Sequence, residues 1–314
     1  MISTLLSRVR AASVASATVR RPVVAVQQLA FVPLPTSTST TSTPAQVLSP
    51  LHLSRSFSTT CRTMSTSPKP FIHKACCTLP PVVSSYTPRG ATVRVGQDMN
   101  CYAVGRADAT RAIVIIYDIF GLHPATKQTA DLLAQGLDAR VVMPDLFLGK
   151  PWPLSNFPPK NPADLAKFFE VSGAWDVVHP RIVATIDYLN KHHPSITSVG
   201  LLGFCWGGKI MTRALNELAD RVKAGASAHP YLVTAEDIEG TLRPVALLPS
   251  KDEGDMSDVQ AKIAEKWGDK GFFKAFDDMH HGWCAARADF ESKLNRERTH
   301  EAVEDLVAFF DKNL

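Results

Sequence analysis

Gly203-Phe204-Cys205-Trp206-Gly207-Gly208 is the stretch that most restricts how this chain can fold. An apolar run, Ser198-Val199-Gly200-Leu201-Leu202, precedes it, and a helix-compatible segment from Lys209 to Leu218 follows. Strand, sharp turn of small residues, then helix is the layout of a nucleophile elbow, which exposes its central side chain at the carboxyl edge of a strand. Glycines flank that side chain because neighbouring backbone crowds the turn and a Cβ would clash. The central residue here is Cys205, and a thiol needs less activation than a hydroxyl because part of it is thiolate near neutrality. A buried structural cysteine at a tight turn fits the hexapeptide as well, since cysteine is among the most buried residue types. Partners elsewhere in the chain have to decide between the two.

The first acidic residue of the 314 is Asp98. Before it stand only basic, hydroxyl, amide, proline, glycine and apolar residues, including Arg8, Arg10, Arg20, Arg21, Arg55 and Arg62. Arg-rich, Ser-rich and free of acid is the composition of a mitochondrial transit peptide. Residues 1–64 are therefore expected to be a disordered targeting leader, with processing near residues 56–64, and 65–314 a single domain. Met64 offers an internal start for a leaderless cytosolic form. The formal charge of +4 (34 Lys+Arg, 30 Asp+Glu) rests on the leader, which holds six of the basic residues. Without it the balance is 28 against 30, or −2, which gives no reason to expect nucleic-acid binding. No apolar run after Asp98 is long enough to span a bilayer. The six cysteines (Cys61, Cys76, Cys77, Cys101, Cys205, Cys284) lack metal-site spacing, and neither a metal nor any cofactor is expected.

From about Lys69 onward, strand and helix patterns alternate. Val93–Val104 reads as an opening strand or hairpin, and Ala112–Tyr117 as a β-branched strand covered on both faces. A helix is expected over Pro124–Gly136, a strand over Arg140–Met143, and a long aromatic and proline-rich loop or cap over Leu146–Pro162. Helices near Ala163–Val171 and Val177–His192 lead to the elbow strand and helix. Strands at Val222–Ala228, Val245–Leu248 and Phe272–Phe276, with helices near Met256–Trp267 and Leu294–Phe310, complete the pattern. Such alternation predicts an α/β fold with a mostly parallel central sheet and helices on both faces.

A nucleophilic thiol needs a base, an acid to orient that base, and donors for the developing oxyanion. Nucleophile, acid and histidine occur in that order downstream of Cys205, as elbow-type sites require. Asp252 lies in the loop after Val245–Leu248, with Glu253 and Asp255 as neighbours able to serve instead. His281, in His280-His281-Gly282-Trp283, follows the Phe272–Phe276 strand. His280 is its rival, but on an extended backbone it points the other way. Tyr117-Asp118-Ile119-Phe120-Gly121 ends the first central strand. Ile119 and Trp206 are the backbone N–H pair expected for an oxyanion hole. Asp118 fits both a carboxylate touching thiol or substrate and a helix N-terminal acid.

The elbow hexapeptide, Asp118-Ile119-Phe120-Gly121, Met143-Pro144-Asp145-Leu146 and His281-Gly282-Trp283 together closely resemble the dienelactone hydrolase (carboxymethylenebutenolidase) family. The resemblance extends from roughly His73 to the C-terminus, and Cys76-Cys77-Thr78-Leu79-Pro80-Pro81 looks like the opening of its fungal members. It implies an α/β-hydrolase fold in which Cys205 matches the nucleophile, His281 the general base and Asp252 the orienting acid. Two departures stand out. The family's bacterial enzymes carry Glu where this chain has Asp118, and that Glu is implied in gating the thiol. Their substrate-carboxylate arginine lies just after the histidine loop, where Arg287 stands near but out of register. The expected function is cofactor-free hydrolysis of small esters or lactones by a Cys-His-Asp triad through an acyl-thioester. The alternative is a non-catalytic or redox-sensing protein that retains the fold and a reactive Cys205.

Overall fold

The computed structural model describes residues 79–314. The expected leader, Cys61, His73 and Cys76-Cys77 lie outside the described residues. Among those described, eight strands form one sheet: β1 (Ala91–Val95), β2 (Met99–Val104), β3 (Arg111–Ile116), β4 (Arg140–Pro144), β5 (Ser198–Phe204), β6 (Ala224–Ala228), β7 (Val245–Leu248) and β8 (Phe272–Phe273). Their spatial order is β1-β2-β4-β3-β5-β6-β7-β8. The opening hairpin β1–β2 and the β2–β4 pair are antiparallel, and every other pairing is parallel.

The central strands are continuous apolar runs because both faces of the sheet are covered. All seven residues of β5 are buried, as are Ala112 to Ile116 of β3. The covering helices are α1 (Pro124–Leu137), α2 (Pro162–Val171), α3 (Trp175–His192), α4 (Trp206–Glu217), α5 (Ala235–Gly240), α6 (Ser257–Trp267) and α7 (Lys293–Asn313). No described helix is long and apolar enough to cross a membrane.

The sequence expectation holds for the sheet and for the long helices, with two differences. The last strand stops at Phe273; beyond it, Lys274 N–H still donates to the Leu247 carbonyl at 3.1 Å and a single bridge joins Phe276 to Ser250. The short α5 was not anticipated. It is made by a capping box in which the Thr234 side chain accepts from the Asp237 N–H while the Asp237 carboxylate accepts from the Thr234 N–H at 2.8 Å. The loop from 145 to 161 lies over the carboxyl ends of the central strands as expected of a cap. Phe147 stacks on Trp206 at 5.2 Å, and Phe157 meets Phe120 edge-on at 5.4 Å.

Parallel registers bring the chemistry-bearing loops to one edge. Ile116 of β3 pairs with Gly203 of β5, Phe204 with Ala228 of β6, and Ala228 with Leu248 of β7. Asp118, Cys205, His229 and Ser250 therefore each lie one or two residues beyond these paired strand ends, in the crevice where open parallel sheets place their sites.

Candidate active site

Cys205 has φ 57° and ψ −124°, a left-handed conformation that costs a non-glycine residue on the order of 1–3 kcal/mol. The surrounding glycines over-determine it. A Cβ on Gly203 would lie 2.3 Å from the Gly207 carbonyl oxygen, and one on Gly207 would lie 2.3 Å from the carbonyl oxygen of Ile116. The turn can therefore close only with hydrogen atoms at those two positions. The Cys205 carbonyl accepts from Gly208 N–H at 2.9 Å and Tyr231 N–H at 3.0 Å, which locks the turn to the end of β6. The side chain stands at the start of α4, where the helix dipole favours a thiolate.

His281, 2 % exposed, is hydrogen-bonded to the Cys205 side chain. Its Nδ1 lies 2.6 Å from Glu253 Oε1, with both side chains nearly inaccessible to solvent. Burial alone would lower the His281 pKa, but the Cys205 charge and hydrogen bond, reinforced by Glu253, raise it instead. A buried imidazole between two anions prefers to carry a proton. Cys101 and Cys284 are the contrast: burial pushes each of these thiols up to about 12.

The carboxylate that meets the imidazole is thus Glu253, and Asp252, the sequence expectation, sits elsewhere. Lys251–Glu253 forms a single 3-10 turn capped by Ser250, and the Glu253 carboxylate curls back to accept from the Ser250 N–H and, at 3.1 Å, from its Oγ. That reversal carries the third residue of the turn under the histidine loop. Asp252 Oδ2 instead accepts the backbone N–H of His281 at 2.8 Å, so it holds the loop rather than the ring. His280 turns away from the thiol, its Nδ1 lying 3.1 Å from the His281 carbonyl oxygen.

Asp118 is 3 % exposed and accepts from two backbone N–H groups, Phe120 at 2.9 Å and Ala286 at 3.1 Å. Burial, followed by the nearby Cys205 charge, raises its pKa to about 6 against the opposing pull of those two bonds and of Arg287. Arg287 is buried on the same side. Its guanidinium lies over the rings of Phe120 at 5.4 Å and Phe157 at 5.2 Å, and it donates to the carbonyls of Leu79 and, at 3.2 Å, His281. Asp118, Ile119, Phe120, Cys205, His281 and Arg287 line a narrow cleft beside the thiol. Trp206 opens α4, so its backbone N–H has no carbonyl one turn before it within the helix.

The profile of the dienelactone hydrolase family matches residues 99–314, more than two thirds of the chain. The chain belongs to the dienelactone hydrolase family. It is 33% identical over 238 residues to an AIM2 family protein of Schizosaccharomyces pombe, covering 72% of this chain and 92% of that relative, which places it with the fungal members. The Homo sapiens carboxymethylenebutenolidase homolog is 25% identical over 224 residues, 65% of this chain and 83% of its own. An esterase of Pyrococcus furiosus superposes with a TM-score of 0.52 at 12% identity, over 76% of this chain and 98% of that one, a likeness of fold. As a family member the protein is an ester or lactone hydrolase with the α/β-hydrolase fold.

One residue beside the site was not anticipated from sequence. His229, at the end of β6, is fully buried, and its ring packs edge-on against that of His281 at 5.0 Å. The available signal was its position: a histidine directly after a strand of small residues, in Ala226-Ser227-Ala228-His229-Pro230, on the strand beside the elbow.

Proposed function

We propose that this hydrolase cleaves small carboxylic esters or lactones through an acyl-thioester on Cys205, with His281 as proton carrier and Glu253 as its orienting acid. The observation that carries the reading is the buried His281 imidazole, hydrogen-bonded to Cys205 and meeting Glu253 at 2.6 Å. The Cys205 thiolate attacks the substrate carbonyl carbon, and the oxyanion that forms is held between the backbone N–H groups of Ile119 and Trp206. Collapse breaks the acyl–oxygen bond, and the leaving alkoxide takes the proton of the His281 imidazolium. Neutral His281 then removes a proton from water as that water adds to the thioester, and departure of the thiolate releases the carboxylic acid. In a lactone the leaving hydroxyl stays attached, so the product is a hydroxy acid. The small cleft supports a small acyl portion, and the Arg287 guanidinium at its wall supports one bearing negative charge.

The measurement is hydrolysis of p-nitrophenyl acetate by wild type, Cys205→Ala and Cys205→Ser. Loss of the nucleophile lowers kcat by about a thousandfold or more. Serine in its place keeps a fraction of activity, because base and oxyanion donors remain. Full turnover by Cys205→Ala would refute the reading. A protein that forms a reversible sulfenate with peroxide and cleaves no ester would instead support the redox-sensing alternative. The acid-free composition of residues 1–64 supports mitochondrial import, with Met64 starting a second, cytosolic form, and N-terminal sequencing of the protein from both fractions tests it.

A further inference from the structure

His229 is among the buried titratable groups that the mechanism leaves unused. It carries three features that are individually unfavourable. Its backbone is left-handed at φ 39°, its side chain is fully buried, and neither ring nitrogen has a hydrogen-bond partner among the described residues. Such features persist where the surroundings enforce them, and they cluster at functional sites.

Its surroundings are specific. One side of the imidazole stacks on Phe204 at 5.6 Å, an interplanar angle of 22°, and the ring stands at 67° to that of His281, 5.0 Å away. The backbone on either side is pinned: His229 N–H donates to the Leu248 carbonyl at 2.9 Å, and Tyr231 N–H donates to the Cys205 carbonyl at 3.0 Å. The ring is thereby clamped to the elbow on one flank and to β7, whose following turn carries Glu253, on the other.

We propose that His229 is a positioning residue for His281, a neutral imidazole that fixes the plane of the reacting ring. The inference rests on the hydrolytic reading above. Hydrogen bonds to Glu253 and Cys205 fix a line through the His281 ring, about which the ring can still rock. A flat group packed against it removes that freedom, as proton transfer along both bonds requires. The group has to be uncharged, because a second cation 5 Å away would discharge the imidazolium. Burial and the nearby charges of His281, Arg287 and His280 hold the His229 pKa well below its ordinary value, and no carboxylate among the described residues bonds to it. Histidine rather than phenylalanine suits the position because it tolerates the left-handed region better than bulkier side chains do.

The test compares His229→Asn, which is comfortable in that backbone but has no ring, with His229→Phe, which keeps a ring. Folding is checked by circular dichroism and thermal melting, and only variants that keep the wild-type spectrum and a cooperative melt enter the comparison. The first readout is the pH profile of Cys205 alkylation by iodoacetamide, which reports the Cys205–His281 pair without any need for ester turnover. The expected result for His229→Asn is an alkylation profile displaced toward higher pH and a kcat reduced roughly tenfold to a hundredfold at nearly constant KM. His229→Phe recovers part of both. A folded His229→Asn protein with the wild-type alkylation profile would overturn the proposal, whatever the esterase assay shows. Equal impairment of both variants would also overturn it, since the ring would then not be the agent. Absence of ester hydrolysis in wild type, with the alkylation shift intact, would fault the hydrolytic reading alone.

Discussion

The two halves of this site are built by different means. On the thiol side, backbone does the placing: Cys205 sits on a turn that only glycine neighbours permit, and Asp118 is held by two main-chain N–H groups. On the imidazole side, side chains do it: Glu253 at Nδ1, His229 against the ring, and the Asp252 carboxylate under the loop. A backbone-built half is rigid and tolerates few sequences. A side-chain-built half offers several carboxylates and rings within a short span, and local turn geometry chooses among them.

The sharpest way to break this comparison is to exchange the orienting acid. Glu253→Gln keeps the shape but leaves no anion at Nδ1 to stabilise the imidazolium and hold its tautomer, so the proton returns to the Cys205 thiol. The expected loss in kcat is about a hundredfold to ten-thousandfold, in the range seen when a triad acid becomes its amide. The Cys205 alkylation profile moves toward higher pH in the same variant. Steady-state hydrolysis with both readouts is the measurement, and an unimpaired Glu253→Gln enzyme would remove Glu253 from the catalytic set.

That contrast also explains what could be read from the chain beforehand. The parallel sheet, its long helices, the elbow and the histidine loop all follow from continuous apolar runs, glycine spacing and order along the sequence, each a local signal. Asp118 could be placed near the thiol because it follows a strand end, and Arg287 only through the family resemblance. Choosing between Asp252 and Glu253 needed the capped 3-10 turn, which reverses the chain within three residues and swaps which side chain faces the imidazole. His229 looked like any strand-end histidine, because its contact with His281 joins residues 52 positions apart through two different strands. The two-residue β8 was overestimated because Phe276 keeps the apolar pattern going while only its backbone bridges to Ser250.

Asp118 sharpens the comparison from the thiol side, through stability. Its folded pKa of about 6 lies above the ordinary carboxylate value of 3.8, so between these values the folded protein binds more protons than the unfolded chain. The contribution of Asp118 is therefore most favourable below about pH 4 and is lost as pH rises through 6. The full difference corresponds to about 3 kcal/mol. Asp118→Asn cannot titrate, although it gives up one of the two acceptor oxygens and so carries a fixed cost. Chemical denaturation of both proteins at several pH values isolates the linkage. The variant gains on wild type by up to about 3 kcal/mol between pH 4 and pH 7, whatever its offset at the start. A constant difference across that range would show that Asp118 titrates as an ordinary surface carboxylate.

The smallest effect belongs to Asp252, and its smallness is informative. Asp252 and Glu253 are adjacent carboxylates in one turn, yet one bonds to the backbone of the histidine loop and the other to the imidazole itself. Asp252→Asn retains an oxygen able to accept the His281 N–H, so the loop stays in place and only the charge-assisted part of that bond is lost, about 1 kcal/mol. Because the loss falls on the ground state and the transition state alike, kcat should change by less than about tenfold, and the Cys205 alkylation profile should hold its position. The double variant with Glu253→Gln then separates the two roles. A backbone anchor and a ring partner that act independently give additive free energies. If Asp252→Asn instead costs as much as Glu253→Gln, and the double variant loses no more than either alone, the two carboxylates work as one unit and the division between loop holder and ring partner fails.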